Sequence, residues 1–199
     1  MERSSSSVED FIRKKATFTR SLVSVTLVSW LLGVGDRHLE NVLYARATGA
    51  LCAVDWGAAG RRARELPAAR LSRNLLAAAD LDELEGALRV AARAARAHGP
   101  ALEAAARVCF SWRDDCDHMV AATRALLRGE ALPHHVTAAA LRALRPRHHQ
   151  LHLRLLDDVF HDFADKPVYT VEEQVAGLLR LCTDPRVLSV TRPGWEPWL

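Results

Sequence analysis

The sequence predicts a mainly helical chain interrupted by one small β-hairpin. Three observations carry that prediction. Apolar residues recur at helical spacing over most of the 199 residues. The longest apolar stretch, Ser21 to Val34, continues an amphipathic pattern that begins at Val8. Two short apolar segments, Val42–Ala45 and Leu51–Val54, flank Ala47-Thr48-Gly49, a strand–loop–strand pattern with a three-residue loop.

Composition bounds the possibilities. The chain is 49% hydrophobic and 26% charged with ten Gly and eight Pro, which suits one folded core, or one domain with a small appendage. Disordered, collagen-like and disulfide-scaffold classes are excluded. The formal charge of +3, from 27 basic and 24 acidic residues, is too mild to predict nucleic-acid binding. Lysine occurs only at Lys14, Lys15 and Lys166, and every other basic residue is Arg, as a GC-rich coding sequence would produce. Cys52, Cys109, Cys116 and Cys182 form no CxxC pair and are expected to be buried small hydrophobes in a reducing compartment. Cys109, Cys116 and His118 match no common zinc spacing. Ser21–Val34 carries Ser21, Ser24, Thr26 and Ser29 and falls short of the ~20 apolar residues of a membrane span, so it is expected to be a core helix. It also starts too late, and lacks the cleavage site, for a signal peptide.

The elements follow in order. Met1–Ser7 is polar and expected to fray. A helix runs from Val8 to about Leu32 and stops at Gly33 and Gly35, placing Asp36-Arg37-His38 on a loop. The hairpin comes next. Pairing about Thr48 sets Val42 opposite Val54, Tyr44 opposite Cys52, and Asn41 opposite Asp55 at its mouth. Ala58 to about Leu66 is a polar, basic loop. Helices are expected over Leu71–Ala79, Asp82–His98, Ala101–Arg128 and Thr137–Phe163, with breaks at Gly99-Pro100, Gly129–Pro133 and Arg145-Pro146. In the second of these, Leu84, Leu88, Ala91, Ala92 and Ala95 form the core face, and Arg89, Arg93 and Arg96 an opposite, solvated face. A boundary falls near Lys166-Pro167, followed by a helix over Val171–Cys182, a short segment, and a tail ending Gly194-Trp195-Glu196-Pro197-Trp198-Leu199. Two Trp so near a terminus imply that the tail packs onto something. His134-His135 and His148-His149 with His152 are possible metal ligands, although solvated helix histidines are the commoner case.

The chemistry concentrates in Gly35-Asp36-Arg37-His38-Leu39-Glu40-Asn41 and Asp55-Trp56-Gly57. An Asp, an Asn five residues on, a hairpin and then Asp-aromatic-Gly is the spacing of a catalytic loop and metal loop for phosphoryl transfer. A carboxylate at Asp36 can orient a hydroxyl and accept its proton. Asn41 and Asp55 offer hard oxygens suited to Mg²⁺. Singly, each residue would read as a turn or cap residue; the joint pattern carries the weight.

The order Asp-Arg-His, preceded by Gly, resembles the phosphatidylinositol 3-kinase superfamily. Glu172-Glu173-Gln174-Val175, Thr183-Asp184-Pro185 and the Trp-bearing terminus resemble the FATC segment of its protein-kinase branch, most closely the members that act in DNA double-strand-break repair by end joining. Phe110-Ser111-Trp112 and Arg70-Leu71-Ser72-Arg73 add to that likeness. The fold it implies is the helical C-terminal lobe of a kinase over residues 1–166, its small hairpin carrying the metal ligands, then a short helical FATC segment over 167–199. The roles it implies are catalytic base for Asp36, γ-phosphate contact for His38, and Mg²⁺–ATP ligands for Asn41 and Asp55. It also implies protein substrates, a nuclear location, no membrane, and DNA contact only through end-binding factors. Trp56 stands where the family has Phe, and the stretch Ala58–Ala69 is short for an activation loop. No glycine-rich phosphate loop or strand lysine precedes Asp36, so the chain is expected to be part of a larger kinase with an N-lobe and helical repeats, and to be inactive alone. A non-catalytic scaffold and, less favoured by the tail, a lipid kinase are the alternatives.

Overall fold

The structure is a computed structural model and describes residues 5–34, 41–56, 69–143 and 149–190. It is organised around a long helix, α1 (Val8–Leu32), as the periodicity predicts. The serines before it do not simply fray. Ser7 is the N-cap, its hydroxyl accepting the Asp10 N–H at 3.1 Å, and the Ser6 N–H donates to Asp10 Oδ2 at 3.1 Å. At the other end Gly33 turns left-handed (φ 59°). The Gly33 N–H bonds Trp30 O and the Val34 N–H bonds Ser29 O, and Val34 is buried. This reciprocal pair of bonds satisfies the last carbonyls of α1 and needs glycine at the turn.

Strands β1 (Val42–Tyr44) and β2 (Leu51–Ala53) follow, then helices α2 (Arg73–Ala78), α3 (Leu81–Ala97), α4 (Gly99–Phe110), α5 (Cys116–Arg128), α6 (Pro133–Ala143), α7 (His149–Val159), α8 (Val171–Thr183) and α9 (Pro185–Ser189). One core joins Phe18, Leu22 and Trp30 of α1 with Leu84, Leu88 and Ala92 of α3, Leu126 of α5, and Val175, Leu178 and Cys182 of α8. Two hydroxyls of α1 do specific work. Thr19 Oγ1 accepts the Asp80 N–H that opens α3 (3.1 Å), and Ser21 Oγ accepts the Leu51 N–H of β2 (2.8 Å). Thr123 of α5 donates to the Leu31 carbonyl (2.9 Å). Among the described residues, no helix is long and apolar enough to cross a membrane.

Several expectations are corrected. The single helix expected over Ala101–Arg128 is two, α4 and α5. The chain turns between them through Ser111–Asp115, where Arg113 N–H bonds Phe110 O at 2.9 Å and the Arg113 guanidinium pairs with Asp115. Folding back buries Ala106, Phe110 and Met119 against one another, which one straight rod could not do. The expected Thr137–Phe163 helix is likewise α6 and α7, and the break predicted at Arg145-Pro146 lies outside the described residues. Helix α2 starts later than Leu71 because Ser72 is extended and serves as its N-cap, and the Leu71 N–H bonds Cys182 O of α8 at 3.0 Å. Cys182 is buried, and burial pushes its thiol up to about 12, whereas Cys52 and Cys109 are exposed.

The arginine face of α3 is solvated in part and also tied to a later helix: Arg89 and Arg93 keep much of their side chains in solvent, while Arg96 is drawn into a polar network. Arg93 pairs with Glu172 of α8. Arg96 donates to Tyr169 O (2.7 Å) and Gln174 Oε1 (2.7 Å). Gln174, completely buried, donates in turn to Leu126 O (2.9 Å) and Ala131 O (2.7 Å). A capping box of Thr170 and Glu173 starts α8. The seam between α3 and α8 is therefore a polar clamp laid over the apolar core.

Of the histidine pair His134 is buried and His135 half-buried, and among the described residues no group of three or more His, Cys, Asp and Glu could hold a metal. His134 is 7% exposed and stacks on Phe160 with ring centroids 3.8 Å apart. Its Nδ1 is buried with no hydrogen-bond partner among the described residues. Burial, followed by the His135 and Arg180 charges, lowers it to about 3. An unfolded histidine titrates near 6.5. The stabilisation from keeping His134 neutral is therefore complete above pH ~6.5. It falls as pH drops toward 3, by up to about 1.4 kcal/mol per pH unit. His134→Phe, which preserves the stack, is expected to flatten the decline of the urea midpoint between roughly pH 6.5 and 4. Parallel wild-type and variant curves would refute the assignment.

Candidate active site

The hairpin is bolted to α1. Leu51 and Ala53 of β2 are buried and Cys52 is exposed, the alternation of a strand with one covered face. Phe18 of α1 meets Tyr44 edge-on at 6.2 Å. At the turn Gly49 lies directly on Lys14. A β-carbon there would sit 2.5 Å from the Lys14 carbonyl oxygen, and the backbone is left-handed (φ 84°). Lys14 is itself buried and paired with Asp10 at 2.9 Å. Gly49→Ala is therefore expected to cost about 1–3 kcal/mol, read as a lower urea midpoint, with faster amide exchange concentrated in the hairpin. A neutral substitution would mean that the turn can move off α1 freely.

The register differs by one residue from the expected one. Val42 pairs with Ala53, Leu43 with Cys52 and Tyr44 with Leu51. The loop has four residues rather than three, because Gly49 adopts the left-handed conformation and its N–H, like that of Thr48, bonds Ala45 O. Asn41 consequently faces Val54, whose N–H bonds Asn41 O at 3.0 Å, and Asp55 is the next residue beyond.

This slip has a chemical consequence. Continued as extended strand, Asp55 would fall on the Leu51/Ala53 face, against α1, where a carboxylate is costly to desolvate. Instead Asp55 is left-handed (φ 54°), the single such non-glycine among the described residues, and it is exposed. Asp tolerates this conformation better than most residues. The turn takes Asp55 out of the strand's alternation beside Asn41, which is 7% exposed. Trp56 follows, its indole N–H donating to Ala53 O at 3.0 Å.

The structure thus brings Asn41 and Asp55 to one end of the hairpin. Asp36 and His38 lie outside the described residues, as do Gly57 and the tail from residue 191. An amide oxygen and a carboxylate, both hard donors on adjoining backbone, fit Mg²⁺. This ion uses one or two protein ligands and takes the rest from phosphate and water. The sequence reading missed Ser21, Gly49 and the Trp56 hydrogen bond as holders of this pair. The signal for Ser21 was there: a hydroxyl in an otherwise apolar helical stretch.

Comparison with known proteins gives the chain's relatives. The model of the family "Phosphatidylinositol 3- and 4-kinase" matches residues 2–98. The serine/threonine-protein kinase tel1 of Aspergillus oryzae is 33% identical over 86 residues, covering 41% of this chain and 3% of that protein. The serine/threonine-protein kinase TOR2 of Saccharomyces cerevisiae is 35% identical over 92 residues, 43% of this chain and 4% of that one. The DNA-dependent protein kinase catalytic subunit of Dictyostelium discoideum is 43% identical over 53 residues, 27% and 1% respectively. Over 94% of this chain and 7% of the other, the fold matches the open conformation of CtTel1 with a TM-score of 0.59 at 18% identity. The match spans only 3 to 4% of the length of the first two of these relatives.

The helical lobe with its small hairpin therefore resembles a kinase catalytic domain in fold. Residues 2–98 match the model of the phosphatidylinositol 3- and 4-kinase family, and the relatives that the chain resembles over part of its length are serine/threonine protein kinases.

Proposed function

We propose that the chain supplies the catalytic and metal-binding half of a serine/threonine protein kinase, which transfers the γ-phosphate of ATP to protein hydroxyls. The observation that carries this is the placement of Asn41 and Asp55 at one end of the hairpin, downstream of Gly35-Asp36-Arg37-His38. In this reading Asp36 orients the substrate hydroxyl and accepts its proton, and His38 contacts the γ-phosphate. Asn41 and Asp55 hold Mg²⁺, which when bound neutralises phosphate charge. The groups that grip ATP from the other side are assigned to residues outside these 199, which contain no glycine-rich phosphate loop. Residues 167–199 are assigned to a FATC segment. Its Thr183-Asp184-Pro185 and Gly194-Trp195-Glu196-Pro197-Trp198, with the DNA-dependent relative, support a nuclear role in double-strand-break repair by end joining.

The test compares a Ser-containing peptide with phosphatidylinositol vesicles as acceptors for the intact protein with Mg²⁺ and ATP. Peptide phosphorylation is expected, and Asp36→Ala is expected to reduce it by roughly 10²–10⁴-fold with the protein still folded. Transfer to lipid alone would overturn the substrate class, and a near-normal rate in the variant would overturn the role of Asp36.

A further inference from the structure

The proposal concerns Trp56 and rests on the reading of Asp55 as a metal ligand. The ladder of the hairpin decides which backbone groups need outside partners. Ala45 N–H bonds Ala50 O at 2.9 Å and Val54 N–H bonds Asn41 O at 3.0 Å, so these are hydrogen-bonded pairs. Antiparallel pairs alternate between hydrogen-bonded and non-bonded. Leu43/Cys52 is then bonded, and Val42/Ala53 and Tyr44/Leu51 are non-bonded pairs whose N–H and C=O groups point away from the partner strand.

The sheet has two strands among the described residues, so the outward groups of β2 find no third strand there. The Leu51 N–H is taken by Ser21 Oγ from α1 at 2.8 Å. The Ala53 C=O is taken by the indole Nε1–H of Trp56 at 3.0 Å. That bond closes a loop over Val54 and Asp55, the two residues through which β2 passes into the left-handed turn. Among the aromatic side chains, a phenylalanine ring fills similar space but has no N–H to donate. A tyrosine hydroxyl lies at the ring's far end instead of its side.

We infer that Trp56 is a positioning residue: its hydrogen bond to the Ala53 carbonyl presets the backbone of Asp55 before metal or nucleotide arrives. The local turn is left-handed at a non-glycine residue, which costs free energy and persists only where its surroundings over-determine it. The strand pairing on one side and the indole clasp on the other are those surroundings. A metal loop so clasped binds from a single conformation and does not first have to be ordered.

Trp56→Phe isolates the hydrogen bond. In the intact protein free of metal and nucleotide, amide hydrogen exchange of Val54–Trp56 is expected to rise about three- to tenfold, while α1 and α3 keep wild-type exchange. In turnover assays the Mg²⁺ concentration at half-maximal rate is expected to rise by a similar factor, with kcat at saturating Mg²⁺ within about twofold of wild type. Unchanged exchange at Val54–Trp56 would overturn the proposal and leave the metal reading of Asp55 intact. So would faster exchange spread evenly over the fold, the mark of a merely structural role. Faster local exchange, with a Mg²⁺ midpoint unmoved in both Trp56→Phe and Asp55→Asn, would support the clasp and instead sink the assignment of Asp55 as a ligand.

Discussion

Asp55→Asn is expected to lower phosphoryl transfer on the order of 10²–10³-fold, the scale for removing one preorganised electrostatic group of an active site. The choice of Asn follows from the backbone. Asp55 has φ 54°, and Asn shares with Asp a tolerance of that region. The variant therefore removes charge and metal affinity without asking the chain to refold. Alanine would confound the result, since an ordinary β-carbon in the left-handed region costs roughly 1–2 kcal/mol and would disturb Val54 and Trp56 as well. Thermal unfolding of Asp55→Asn should stay within a few degrees of wild type, and peptide phosphorylation with Mg²⁺ and ATP should collapse. A variant retaining a tenth or more of the activity would remove Asp55 from the metal site.

Much of the fold was legible because the signals were local. Gly33 after Leu32 ends α1 as the physics of helix ends requires, whereas the Ser7 cap lay in a stretch expected to fray. The hairpin was legible as a hairpin, from two apolar runs around a glycine, but its register was not. The loop-residue count depends on which residue turns left-handed, and Gly49 does so only where it lies on Lys14, a contact 35 positions away in the chain. A one-residue slip exchanges strand faces and swaps bonded for non-bonded pairs. That is why the partnership of Ala53 with Trp56 was invisible. The role of Arg96 on α3 was missed for a related reason. A helical period tells which face is apolar, but not whether the opposite face meets water or a later polar helix such as α8. The meeting of Asn41 and Asp55 at one end of the hairpin was legible, since type and spacing are properties of sequence. The left-handed turn that lifts Asp55 off the α1 face is a tertiary compromise.

The second large effect is expected far from the hairpin. Gln174 uses its whole amide inside the protein: Nε2 donates to the Leu126 and Ala131 carbonyls, and Oε1 accepts from Arg96. Gln174→Leu is nearly isosteric, yet it strips a partner from two carbonyls and from a guanidinium already partly desolvated. Buried groups left unpaired cost about 1–3 kcal/mol each, and some relaxation toward water will occur, so a net loss of about 2–5 kcal/mol is expected. For a chain of this size that lowers the melting temperature by roughly 5–15 °C. The loss should be cooperative with the rest of the seam. Arg96 also holds Tyr169 O, and a β-carbon at Gly129 would lie 2.6 Å from the Arg96 guanidinium, so the clamp has no slack. Arg96→Met combined with Gln174→Leu should therefore cost clearly less than the sum of the single variants, by more than about 0.5 kcal/mol. Gln174→Glu supplies a sharper contrast. It keeps an acceptor for Arg96 but turns an oxygen toward two carbonyl oxygens, so it should not rescue stability. Strict additivity, or a wild-type melting temperature in Gln174→Glu, would show that α8 is held by its apolar face alone. Because α8 also accepts the Leu71 N–H at Cys182 O, unseating it should loosen the start of α2 in the same transition.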